Sequence, residues 1–72
     1  MAKKDTLQEF GKRIRDQRIA LGLSQEELAD KAGFDRTYIS MIERGKRNLS
    51  LLNIRRFAET LGTTISALVE GL

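Results

Sequence analysis

Apolar residues along this chain fall in short helical stripes separated by glycines. Leu7, Phe10, Ile14 and Leu21 recur at the spacing of one helix face, which predicts a first helix from about Thr6 to Leu21 with Gly22 as its C′ residue. Ser24 followed by Glu27 is a capping-box signature; it opens a second helix carrying Leu28, Ala29 and Ala32 and ending near Gly33. Asp35 is placed to cap a third helix that turns Ile39 and Ile42 inward and ends at Gly45. Ser50 is placed to cap a fourth, with Ile54, Phe57, Ala58 and Leu61 before Gly62, and a short fifth helix, Ile65 to Val69, follows Thr64. No stretch alternates with the period of two that a half-buried strand requires. The expectation is one compact all-α domain of five helices over residues 1–72, without repeats, low-complexity tracts or linkers.

Residues 25–44 are more specific than the rest. Ala29 is small where two helices must cross closely, Gly33 suits the turn between them, and Phe34 plugs the corner. Two helices joined by a short Gly-containing turn make a helix-turn-helix. A plain αα-hairpin would explain the apolar positions equally well, but not the residues facing outward. With Ile39 and Ile42 inward, Thr37, Ser40, Met41 and Arg44 lie on the far side of the third helix, and Arg36 lies at its edge. A helix that merely met water would more often carry Glu, Lys and Gln there. Arg36 has the fork that pairs with guanine O6 and N7, Thr37 has a methyl for thymine, and Ser40 can pair with either base or with phosphate.

Charge sharpens this picture only through its placement. Thirteen basic and ten acidic residues give a net charge of +3, too small to diagnose a nucleic-acid binder by itself. The charges are segregated, however: Gln25 to Asp35 is acid-rich, and the basic residues Arg36, Arg44, Lys46, Arg47, Arg55 and Arg56 follow. Gln25 stands at a helix N-terminus, whose free amides and dipole attract an anion. Arg44, Lys46, Arg47 and Asn48 form the turn after the third helix, and Ser50 begins another N-terminus nearby. These six are the expected phosphate contacts that position the reading helix.

Cys and His are both absent, which removes disulfides, thiolate or imidazole metal sites, and His- or Cys-based catalysis. No triad or carboxylate pair replaces them, since Glu26 and Glu27 are adjacent and diverge on a helix. The expectation is therefore a non-enzyme with no metal, no cofactor and no small-molecule ligand. There is no apolar run of the roughly 18 residues a membrane span needs. No apolar stretch follows Lys3 and Lys4 as a signal peptide would require, so a cytoplasmic location is expected.

"LSQEELADKAGFDRTYISMIERGKRN" followed by "LGTTISALV" resembles the phage-repressor-like helix-turn-helix family over about Arg13 to Val69. More narrowly, "DRTYIS" and "IERGKRN" resemble the controller proteins of restriction–modification systems, small homodimeric regulators that time restriction-enzyme expression. The resemblance implies a lambda-repressor-like fold and double-stranded DNA as the partner. It places Arg36, Thr37, Ser40 and Met41 at bases, and Gln25, Arg44, Lys46, Arg47 and Asn48 at phosphates. It also implies an internal ion pair between Arg18 and Glu43. Many phage repressors place Gln where this chain has Arg36, so their operator sequences do not transfer.

A chain of this size buries only about 60% of its unfolded surface, which favours a partner subunit. Leu51 and Leu52, side by side, cannot both point inward. Together with Ile65, Val69 and Leu72 they are the expected two-fold interface. A homodimer would set two reading helices about 34 Å apart, one DNA turn, and so meet an inverted-repeat operator. RNA polymerase is a further expected partner. The competing readings are a phage-type repressor and an antitoxin-like protein-interaction module that docks a partner on the same leucines.

Overall fold

The computed structural model describes residues 5–72; Lys3 and Lys4 lie outside them. The elements are α1 (Thr6–Ala20), α2 (Gln25–Ala32), α3 (Arg36–Glu43), α4 (Leu51–Leu61) and α5 (Ile65–Val69), with no strand among the described residues. Polar side chains start four of the five helices by satisfying amides that have no partner within the helix. Asp5 accepts from the Gln8 amide, Ser24 from Glu27, Ser50 from Asn53 and Thr64 from Ala67. At α2 the capping box is reciprocal, the Glu27 carboxylate accepting from the Ser24 amide at 2.8 Å. Asp35 departs from expectation. It occupies the position before α3 with an extended backbone, but its carboxylate makes no cap hydrogen bond.

Phe10, Ile14, Leu28, Ala29, Ile39, Ile42, Phe57, Ala58, Leu61 and Leu68 form one buried cluster to which every helix contributes. Leu21 does not join it. Its position continues the α1 stripe, but α1 stops at Ala20, and Leu21 caps the helix while remaining 52% exposed. Leu68 closes the core from α5, with Ile65, Val69 and Leu72 packed partly buried against it.

The crossing of α1 with α3 depends on two glycines. Gly11 is buried in the middle of α1, where glycine ordinarily costs about 0.5–1 kcal/mol relative to Ala. A Cβ there would run into the carbonyl oxygen of Ile42 and stand 3.0 Å from the Glu43 carbonyl carbon. Gly45 ends α3 in the left-handed region, at φ 72°. Its amide donates to Ile42 O and the Lys46 amide to Met41 O, the paired bonds of a Schellman turn. A Cβ on Gly45 would lie 2.8 Å from Gln8 Cα. The backbones of α1 and the α3 terminus therefore leave no room for a side chain at either glycine.

Gly11→Ala should destabilise the protein by about 1–3 kcal/mol, as overpacking does, where an open helical site would gain from the same change; denaturant unfolding measures the sign. The Glu27 carboxyl is held below its ordinary range, first by the hydrogen bond from the Ser24 amide, then by the Ser24 hydroxyl and more weakly by Lys31. A carboxyl lowered in the folded state contributes stability that is complete above the ordinary Glu range and is lost as pH falls through the lowered value. The stability advantage of wild type over Glu27→Gln should therefore shrink on acidification, which thermal unfolding across an acid pH series will show.

Candidate nucleic-acid interface

α3 presents two distinct surfaces. Ile39 and Ile42 are fully buried. Arg36, Thr37, Ser40, Met41 and Arg44 fall within an arc of about 140° on the opposite side, at 100° per residue. Arg36, Thr37 and Arg44 are exposed, while Ser40 and Met41 are half-buried. The Arg44 side chain folds back along the helix and donates to the Ser40 carbonyl at 3.4 Å. Beside the helix, Lys46, Arg47, Asn48 and Ser50 are exposed in the loop leading to α4. The expected base-reading residues thus share one face, and most of the expected phosphate contacts lie at its C-terminal end.

Besides Arg44, two of those contacts are already engaged within the protein. The Ser50 hydroxyl accepts from the Asn53 amide at 3.1 Å as the α4 cap. The Gln25 side-chain amide donates to Glu43 Oε1 at 3.2 Å, an engagement with no local sequence signal because the two residues are 18 positions apart. Arg47 is also placed: its guanidinium carbon lies 5.2 Å from the centre of the Tyr38 ring, within cation–π range. Tyr38 packs at the edge of the core, with its ring centre 4.8 Å from that of Phe34. Its hydroxyl accepts from Asn53 Nδ2 at 2.9 Å; sequence reasoning did not single out Asn53.

Arg18 and Glu43 meet below this face. Arg18 Nε donates to Glu43 Oε2 at 2.7 Å and Nη2 to Oε1 at 3.0 Å, while Nη1 donates to the Leu23 carbonyl at 2.9 Å. The two side chains are 13% and 4% exposed. Hydrogen bonding to Glu43 raises the guanidinium above its ordinary range against the opposing effect of burial, so it stays charged at every pH at which a protein folds. With Gln25 added, the cluster joins α1, the α1–α2 turn, the first residue of α2 and the last of α3. No buried side-chain polar atom among the described residues lacks a partner.

Leu51 and Leu52 both point outward from the first turn of α4, 67% and 74% exposed. Near them Leu7, Leu49, Ile54, Val69 and Leu72 line an apolar groove of about 250 Å³. Ile65, Val69 and Leu72 are half-buried, so each retains some outward surface. Among the described residues no helix is long and apolar enough to cross a membrane.

A tight α2–α3 corner, an outward face on α3 and a cationic loop beside it define a helix-turn-helix protein. The chain belongs to that family, whose sequence profile matches residues 14–68. Within it, the chain is similar to control proteins: it is 46% identical over 64 residues to the control protein C.MunI from Mycoplasma, covering 88% of this chain and 86% of that one. The crystal structure of the restriction–modification controller protein C.AhdI from Aeromonas hydrophila superposes with a TM-score of 0.83 at 48% identity, covering 86% of this chain and 94% of that one. A structure of the biofilm regulator SinR in complex with DNA matches with a TM-score of 0.81 at 34% identity, over 85% of this chain and 98% of that one.

Removing one partner of a buried ion pair costs about 3–5 kcal/mol, whereas replacing both with apolar groups is often neutral. Arg18→Met alone should therefore lower unfolding free energy by about 3–5 kcal/mol, and Arg18→Met with Glu43→Leu should restore much of that loss. A double-mutant cycle in denaturant reads the coupling; additive losses would mean that the two side chains act independently.

Proposed function

We propose that this helix-turn-helix transcription regulator is a restriction–modification control protein that binds an inverted-repeat operator as a homodimer. The outward face of α3 is the observation that carries this reading. Arg36, Thr37, Ser40 and Met41 enter the major groove, where Arg36 pairs with a guanine and Thr37 meets a thymine methyl. Arg44, Lys46, Arg47, Asn48 and Ser50 hold the adjoining phosphates, and Gln25 does so from the α2 N-terminus. Because the Gln25 side chain already donates to Glu43, its amide and that of Glu26 are the groups offered to the strand. Similarity to C.MunI and C.AhdI supports the controller role, and similarity to SinR in its DNA complex supports this mode of docking.

Two-fold pairing through Leu51, Leu52, Ile65, Val69 and Leu72 brings two copies of α3 to adjacent major-groove faces. The bound dimer then acts by position in the cytoplasm. Over a promoter it occludes RNA polymerase; beside one it recruits it. No step requires catalysis or a cofactor. A second reading, a module that docks a protein partner on α4, is favoured by the exposure of Leu51 and Leu52. The basic surface beside α3 goes unused in that reading. Sedimentation without DNA separates the two: the dimer reading requires Leu51→Glu to yield monomers.

Arg36→Ala should lose about 1–3 kcal/mol on the cognate duplex and relax discrimination at one base pair. Lys46→Ala should weaken every sequence alike and lower the salt slope by about one. Binding titrations at several salt concentrations on cognate and scrambled duplexes check both, and equal losses on the two duplexes for Arg36→Ala would remove its base-reading role.

A further inference from the structure

Beyond the residues that face DNA, the start of α4 carries a side chain that acts on the interface from behind; this inference rests on the DNA-binding reading above. Phe34, Tyr38 and Phe57 pack as an aromatic group, with ring centres 4.8 Å apart for Phe34 and Tyr38 and 5.0 Å for Phe34 and Phe57. The Arg47 guanidinium lies over Tyr38, and that of Arg56 over Phe34. Asn53 Nδ2 donates to the Tyr38 hydroxyl at 2.9 Å, and the Asn53 backbone is itself fixed by the Ser50 cap. Asn53, Tyr38 and Arg47 line one concavity of about 400 Å³ together with Thr37 and Met41 of the α3 face.

We propose that Asn53 is a positioning residue for DNA binding: through the Tyr38 hydroxyl it fixes the ring on which Arg47 rests, and so holds Arg47 beside Thr37 and Met41 before a strand arrives. An arginine in an exposed loop is free to sample many rotamers and loses that freedom on binding; stacking it in advance removes part of the loss. The ring already has Phe34 and Phe57 against it, so its packing does not rest on the Asn53 contact alone. That hydrogen bond sets the orientation of an already packed ring. Cap, amide, hydroxyl, ring and guanidinium thus form one chain from α4 to the DNA-facing loop.

The test uses the duplex that the wild-type chain selects from a random pool, and side-chain relaxation of Arg47 Nε in the free protein. Asn53→Ala and Tyr38→Phe should each lower affinity roughly 3- to 10-fold, the range that one hydrogen bond spans. Combining them should cost no more than either alone. In an Arg47→Ala background, Asn53→Ala should cost nothing further in affinity. Without DNA, Asn53→Ala should increase fast motion at Arg47 Nε. Tyr38→Phe keeps the packed ring and serves if Asn53→Ala fails to fold. Undiminished affinity in both variants, an equal loss with and without Arg47, or unchanged Arg47 relaxation would overturn the positioning role. Failure of the wild-type chain to select any duplex would instead overturn the DNA-binding reading and the role of Asn53 in binding with it, while the relaxation measurement would still decide whether Asn53 holds Arg47.

Discussion

The Arg18–Glu43 pair is the contact on which the geometry of the interface depends. A buried ion pair is weak as a source of net stability, because removal of two charges from water offsets their attraction. Its effect here is positional. Glu43 is the last residue of α3, and its carboxylate is held by Arg18 from α1 and Gln25 from α2. Gly11 lets the α1 backbone press against the same end of α3. The C-terminus of α3 is therefore fixed from within, by groups that leave its outer arc unobstructed.

That arrangement separates the tasks of one eight-residue helix. Ile39 and Ile42 supply the burial that holds α3 to the core, and Glu43 sets its depth. Tyr38 joins the aromatic group at the corner with α4. Arg36, Thr37, Ser40, Met41 and Arg44 remain for a partner. A helix this short would be marginal on its own, so its rigidity comes from packing. Rigid display is what sequence reading requires, because a bidentate pair between arginine and guanine tolerates little misplacement.

The helices were legible in the sequence because their signals are local. Cap residues, glycine stops and apolar spacing fall within a few positions of one another, and of the three caps read from the sequence those at Ser24 and Ser50 form. Local signals also misled where the chain leaves the core. Leu21 continues the α1 stripe in register, but the helix ends before it, so the spacing holds while the burial does not. Asp35 has the residue type and position of a cap without the hydrogen bond. Leu51 and Leu52, by contrast, could not both point inward, and both are exposed. The cross-helix contacts were least legible: Asn53 reaches Tyr38 across 15 positions and Gln25 reaches Glu43 across 18, distances over which no spacing rule operates. The Arg18–Glu43 pair was accessible only through family resemblance.

The account stands on α3 lying in the major groove, and amide chemical-shift mapping with a selected cognate duplex measures this most directly. It predicts that the amides of Arg36, Thr37, Ser40 and the loop from Arg44 to Asn48 shift on titration, while those of the α1 middle stay in place. Shifts confined to α1, α5 or the Leu51–Leu52 surface, with α3 undisturbed at saturation, would contradict it.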